Sequence, residues 1–213
     1  MKTISRHIAK HIVQNTKHDV SENVIAYGLE IFLGESLKIV IFALLGWLLG
    51  CMIEVLIIVA VYAILRSTTG GSHCTSYMRC LFLGIATFIP LGILAKYIEK
   101  PSYLVFIILL SIAFTSYVTY KWVPGEWHGR KLKKTKEQFR KATFIIIAII
   151  HVISLLILLV GSNKWIPIVA AIQLSALWQF VCVTPFGYRL IAFTDQLMIQ
   201  ITNIMEKRRE SNV

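Results

Sequence analysis

The chain alternates long apolar runs with short polar punctuation. Six runs approach the roughly 20 residues a helix needs to cross hydrocarbon: about 25–49, 51–66, 80–97, 102–121, 142–161 and 165–184. Turn signals separate them at Lys100-Pro101, Pro124-Gly125, Gly161-Ser162-Asn163 and Pro185-Phe186-Gly187. The second run is short and follows the first across only Gly50-Cys51, which leaves it as a full, tilted or partial span. Ahead of these runs, residues 1–22 carry no continuous apolar core of the kind a cleavable signal needs. Instead Ile4, Ile8, Ile12 and Val13 recur at helical spacing opposite Arg6, Lys10 and Lys17, which predicts an amphipathic helix lying on the anionic inner leaflet. The expected architecture is therefore all-α. A single membrane domain spans 1–213, with an interfacial helix (1–22), a polytopic bundle of about six spans (25–184) and a basic cytoplasmic tail (185–213).

Composition strengthens this reading. With 56% hydrophobic residues, 15% charged residues and a mean hydropathy of +0.69, the chain is more apolar than a soluble domain of 213 residues could bury. The formal net charge of +11 raises nucleic acid as a partner, but the basic residues stand in the connections between apolar runs, where membrane orientation accounts for them. Six spans place both termini and the 66–80 and 121–141 connections on one side. That side holds Arg66, Arg79, Lys121, Arg130, Lys131, Lys133 and many more cations, whereas the other holds Lys96, Lys100 and Lys164. The imbalance predicts that the basic side is cytoplasmic. Cysteines at 51, 74, 80 and 182 form no secreted disulfide framework, and Cys51 and Cys182 read as small buried hydrophobes.

The candidate chemistry lies in the polar segment Arg66-Ser67-Thr68-Thr69-Gly70-Gly71-Ser72-His73-Cys74-Thr75-Ser76-Tyr77-Met78-Arg79-Cys80, wedged between two spans. Polar groups beside hydrocarbon are costly and mark function, and an imidazole with a thiol is the minimum set for a thiolate nucleophile and its base. A base, a cation or a helix N-terminus lowers a thiol's pKa. Here His73 can take the proton, Arg66 and Arg79 carry charge, and Thr75 or Ser76 can cap the helix that bears Cys80. On an unbroken helix His73 and Cys80 would lie about 10 Å apart, so the segment must bend, and Gly70-Gly71 supplies the freedom. Cys74 is the rival nucleophile, although neighbouring side chains point apart. A zinc site built from His73, Cys74 and Cys80 would lack a fourth ligand and the usual spacing. The plain alternative is an exposed loop histidine and a buried thiol at a helix start.

Arg66, Gly71, His73 and Cys80, at spacings of five, two and seven on the cytoplasmic edge of a six-span protein, resemble the accessory gene regulator protein B (AgrB) family. The similarity runs from the amphipathic N-terminus to the basic 121–141 loop. The resemblance implies a membrane-embedded cysteine endopeptidase that processes the precursor of a cyclic autoinducing peptide in Gram-positive bacteria. By that resemblance Cys80 is the nucleophile, His73 its base, and Arg66, Gly70 and Gly71 shape the site. One departure is the stretch Pro124-Gly125-Glu126-Trp127-His128-Gly129-Arg130-Lys131-Leu132, where the family often has Pro-Ala-Asp followed by Lys-Pro. The departure bears on substrate choice, not on the nucleophile.

Further expectations attach to this reading. Glu30 is a candidate orienting carboxylate for His73, while Glu35, three residues before Lys38, reads as an intrahelical ion pair. Lys131, Lys133 and Lys134 either bind an acidic substrate tail or anchor the topology on anionic lipid. The expected partners are a small AgrD-like propeptide with an acidic C-terminal tail and anionic membrane lipid; a homodimer is left open, and no nucleic acid, cofactor or metal is expected. The competing class is a transporter or channel, with Glu30, Glu35, Lys38, His151 and Gln173 lining a path. Matched broken halves, the usual sign of that class, are absent from the sequence.

Overall fold

A computed structural model describes residues 2–15, 21–125, 135–160 and 162–210. Among them the chain is all-α, in the order α1 (Lys2–Asn15), α2 (Glu22–Leu48), α3 (Met52–Thr69), α4 (Tyr77–Tyr97), α5 (Pro101–Trp122), α6 (Lys136–Val160), α7 (Ile166–Val181) and α8 (Pro185–Glu210). Six helices, α2 to α7, are long and apolar enough to cross a membrane, the last extended by a short 3-10 turn at Asn163–Trp165. The second span is a full 18-residue helix, about 27 Å long at 1.5 Å per residue, so the partial-span option does not hold.

The bundle is organised around α7, which packs against α3, α4, α5 and α6. Half of its span is buried, against 17% for α2 at the periphery. The sequence explains this position: Ala170, Ala171, Ser175 and Ala176 are small and fully or nearly fully buried, and small residues let helix backbones approach closely where hydrocarbon gives no hydrophobic drive. Two apolar clusters fill the interior. One joins Phe42, Val55, Ile58, Phe88 and Val169, and the other joins Leu65, Val118, Val123, Ile147 and Phe180.

The two terminal helices lie outside the spans. α1 packs against α2 and buries Ser5 and Ala9, leaving Ile4, Ile8 and Ile12 exposed as an apolar stripe. The predicted stripe therefore exists and does not face the bundle; Lys17, assigned to its polar side, lies outside the described residues. Within 185–213, expected as a basic tail, Pro185–Glu210 form a helix. Gly187, Ile191 and Asp195 are buried at a spacing of four, which is the stripe by which α8 rests on the bundle.

Candidate active site

The helix of α3 stops at Thr69 because Gly70 (φ 70°, ψ −148°) and Gly71 (φ 129°) adopt backbone conformations that side-chain-bearing residues rarely reach. The bend demanded by the His73–Cys80 spacing is thus present, and residues 70–76 form a non-helical bridge to α4. A Cβ on Gly71 would also stand 3.3 Å from both Arg66 Nη1 and the Cys182 carbonyl oxygen. Non-helical backbone between two spans needs its polar groups satisfied by protein, and here the neighbours do so. Gln179 Nε2 donates to Thr69 Oγ1 (2.7 Å) and to the Gly70 carbonyl (2.9 Å). Arg66 Nη2 donates to the carbonyls of Gly71 (3.3 Å) and Ser72 (2.6 Å), while its Nη1 donates to the Tyr62 hydroxyl (2.8 Å). Ser72 donates twice to the Cys182 carbonyl, through its amide (3.4 Å) and its hydroxyl (3.2 Å), and the Gly125 amide donates to the Thr69 carbonyl (2.8 Å).

A second clamp comes from α8. The Asp195 carboxylate, 5% exposed, accepts hydrogen bonds from Thr75 Oγ1 (2.7 Å), the Thr75 amide (3.3 Å) and Arg79 Nε (2.7 Å). Arg79 also donates through Nη2 to Thr75 Oγ1. Burial alone would raise the Asp195 carboxyl, but the hydrogen bonds from Thr75 and Arg79 outweigh it and hold the group below its ordinary value. Ser76 stands at the N-cap of α4 without a side-chain capping bond, and the Thr75 hydroxyl serves Asp195 instead of a cap. Side-chain capping of α4, expected from sequence, is therefore replaced by a tertiary contact.

This scaffold opens onto a cavity of about 510 Å³, within the range of small-ligand and cofactor sites. His73, Cys74 and Cys80 all line it, together with Arg66. Cys80 sits half-buried in the first turn of α4, and His73 is exposed on the bridge. Apolar side chains such as Phe42, Val59 and Phe88 form much of the remaining wall, with Glu35, Lys38, Ser67 and Thr87 among the polar ones. Burial, with the Asp195 carboxylate acting in the same direction, pushes the Cys74 thiol up to about 11, and burial pushes Cys182 to about 11 as well, so both stay protonated near neutral pH. Cys182 is 1% exposed and Cys51 fully buried, as expected of small hydrophobes, although Cys182 also contributes its carbonyl to the bridge.

The cations are arranged differently from the sequence expectation. Arg79 is taken up by Asp195 and Thr75, and Arg66 by loop carbonyls and Tyr62. The cation beside the nucleophile candidate is Lys38 of α2, whose Nζ lies 3.9 Å from Cys80 Sγ and 2.7 Å from Glu35 Oε1. The predicted Glu35–Lys38 ion pair is present. Glu30 does not belong to the cavity-lining stripe of α2, which runs through Ile31, Glu35, Lys38 and Phe42. Lys131, Lys133 and Lys134 lie outside the described residues. Just beyond them, Lys141 pairs with Glu137 (3.0 Å) and Arg140 donates to the Val123 carbonyl (2.8 Å). No cluster of three metal-ligating side chains occurs among the described residues. Lys38 and Asp195 are site residues that the sequence alone does not assign there. A lysine inside an apolar run was the available signal for the first.

Together these features define a multi-pass helical membrane protein that keeps a thiol and an imidazole on one apolar cavity. The chain belongs to the accessory gene regulator B (AgrB) family, whose description, Accessory gene regulator B, matches residues 3–183. It is similar to "Putative AgrB-like protein 2" of Clostridium perfringens (strain 13 / Type A), 27% identical over 213 residues, covering 93% of this chain and 100% of the relative. A "Putative AgrB-like protein" of C. perfringens (strain SM101 / Type A) is 25% identical with the same coverage. One from Clostridium acetobutylicum is 23% identical over 166 residues, covering 77% of this chain and 75% of the relative. No solved structure matches the chain. Family membership points to a role in processing autoinducing peptide precursors. Helix α8, with Asp195, falls beyond the matched residues.

Proposed function

We propose that the protein is a membrane-embedded cysteine endopeptidase and acyl transferase that cuts a quorum-sensing propeptide and releases a cyclic product. The observation that carries this reading is the convergence of His73 and Cys80 on one cavity, with Arg66, Gly70 and Gly71 fixing the bridge between them. His73 takes the proton from Cys80, and the sulfur attacks the scissile carbonyl of the precursor. As the carbon–nitrogen bond breaks, His73 returns that proton to the departing amine, and the C-terminal piece leaves. The remaining peptide is then held as a thioester. A thiol within the held peptide attacks that carbonyl, the ring carbon–sulfur bond replaces the enzyme's, and Cys80 is regenerated. A hydroxyl nucleophile would give a lactone by the same route. The apolar wall disfavours water, which would otherwise give a linear product.

The site and both termini face the cytoplasm in this reading, on the side rich in lysine and arginine. The substrate is a small AgrD-like propeptide, whose acidic C-terminal tail meets the basic stretch containing Lys131, Lys133 and Lys134. Glu30 as an orienter of His73 is tested by Glu30→Gln, which keeps full processing if the role is absent. The main test is precursor cleavage in lipid vesicles by wild-type protein, by Cys80→Ala and by alkylated protein mapped by mass. Loss of cleavage in step with labelling at Cys80, with an acyl-enzyme trapped on that residue, supports the assignment. Cleavage by Cys80→Ala at the wild-type rate overturns it.

A further inference from the structure

The contacts of Lys38 go beyond an ion pair within α2. An ammonium has three N–H donors and no acceptor, and here three partners surround it. Glu35 Oε1 lies at 2.7 Å, Cys80 Sγ at 3.9 Å, and the Tyr77 ring centroid at 4.8 Å. The two members of the ion pair have unequal surroundings: the Glu35 side chain is 59% exposed and solvated, whereas that of Lys38 is 12% exposed and turned to the cavity. Water screens the carboxylate more than the ammonium, so the field at the sulfur carries the sign of the lysine. A pair serving helix stability alone would sit better wholly in water, since burying a lysine in an apolar helix is expensive.

The approach of Lys38 to the sulfur is fixed by the packing of α2 on α4. The Tyr77 hydroxyl donates to the Gly34 carbonyl at 2.6 Å, and a Cβ on Gly34 would stand 3.0 Å from the Tyr77 ring. Glycine at 34 therefore lets Tyr77 lock against α2, which sets Lys38 beside the first turn of α4. The other charged groups near the bridge are committed elsewhere: Arg66 to loop carbonyls, and Arg79 with Asp195 to each other and to Thr75.

We propose that Lys38 is the counter-ion of the Cys80 sulfur, stabilising the thiolate that forms when His73 takes its proton. The inference rests on the reading of Cys80 as nucleophile, but its test does not depend on peptidase activity. The full chain in lipid vesicles is treated with iodoacetamide, which is neutral, and iodoacetate, which is anionic, and labelling at Cys80 is followed by mass. In Lys38→Met the iodoacetamide rate should fall about tenfold and the iodoacetate rate further, because a cation both supports the thiolate and attracts the anionic reagent. Lys38→Arg should recover most of both rates. Glu35→Gln, which removes the carboxylate and leaves the ammonium, should label at or above the wild-type rate.

A Lys38→Met protein that labels with both reagents at wild-type rates overturns the proposal. So does a Glu35→Gln protein that loses labelling as Lys38→Met does, since the ion pair and not the cation would then matter. The Glu35→Gln comparison also covers the case in which Lys38→Met fails to fold. If Cys80→Ala still cleaves precursor while labelling depends on Lys38, the peptidase reading falls and the counter-ion stands.

Discussion

Two polar regions lie inside the bundle, and they differ in what they face. The first is the bridge of residues 70–76, whose carbonyls are held by Arg66 and Gln179 and whose side chains reach a cavity. The second is a seam between α5, α6 and α7, where Thr115 Oγ1 meets His151 Nε2 at 3.2 Å and Gln173 Nε2 donates to Ser154 Oγ at 2.8 Å. Both cost desolvation where their polar groups are buried. The seam pairs Thr115 with His151 and Gln173 with Ser154 across three helices, and none of these residues lines the cavity. The bridge turns its backbone inward to the scaffold and leaves the His73 imidazole facing the cavity that Cys80 of α4 also lines. Burial of polar groups is therefore a poor sign of chemistry by itself; reactive groups directed at accessible space are the better one. His151 and Gln173, two of the residues a transport reading would place along a path, both belong to the seam.

The sharpest way to break this contrast is to remove the sulfur. Cys80→Ala should lower precursor cleavage more than about 1000-fold, as loss of a covalent nucleophile does. Cys74→Ala should cost a few-fold at most, because burial holds that thiol protonated near neutral pH. Equal losses from the two substitutions, read by product formation in vesicles, would remove Cys80 as the distinct nucleophile.

Next in size is the backbone of the bridge. Gly71→Ala places a Cβ at φ 129° and within 3.3 Å of Arg66 Nη1, so the bridge must shift and His73 with it. A displacement of about 1 Å can cost on the order of 100-fold in rate, and we expect cleavage to fall by about 10- to 100-fold with the helical content intact. Circular dichroism alongside the cleavage assay separates this from unfolding.

The clamp from α8 should act on stability and on pH. Asp195→Ala leaves Arg79 and Thr75 without their carboxylate, and hydrogen bonds to a charged group are worth about 2 kcal/mol, which a denaturation midpoint should register. Because the carboxyl is held below its ordinary value in the folded protein, its contribution is complete above 3.8 and is lost as pH falls through the lower folded value. The wild-type protein should therefore lose stability on acidification more steeply than Asp195→Ala. Parallel acid profiles for the two proteins would remove Asp195 from this role.

The bridge was more legible in sequence than the residues that hold it. Gly70-Gly71 and the seven-residue spacing between His73 and Cys80 state a local geometric problem, so the bend could be inferred without knowing any partner. Lys38 could not be placed in the same way, because its contact with Cys80 spans 42 positions and exists only through the packing of α2 on α4. The Glu35 pair, three residues away, offered a complete local explanation and concealed the distant one. Helix α8 is hard to see in sequence because its buried stripe passes through an aspartate, Asp195. Span ends marked by Pro or Gly were legible to within a few residues, whereas α6 begins at Lys136, six residues before its apolar run, because its first turns are charged. The cation supply was misplaced: the arginines nearest in sequence are absorbed by the fold, and the lysine from another helix stands beside the sulfur.

The smallest expected effect lies in the seam. His151→Leu replaces a 6% exposed imidazole with an apolar group of similar bulk and removes its contact with Thr115. Hydrogen bonds between membrane helices average about 0.6 kcal/mol, so the unfolding midpoint should move little. Precursor cleavage should stay within about twofold of wild type, because none of the seam residues lines the cavity that His73 and Cys80 share. If His151→Leu instead abolished cleavage while the fold persisted, the seam would be coupled to the chemistry. The two polar regions would then have to be treated as one functional unit, with the bundle interior carrying charge or protons to the bridge.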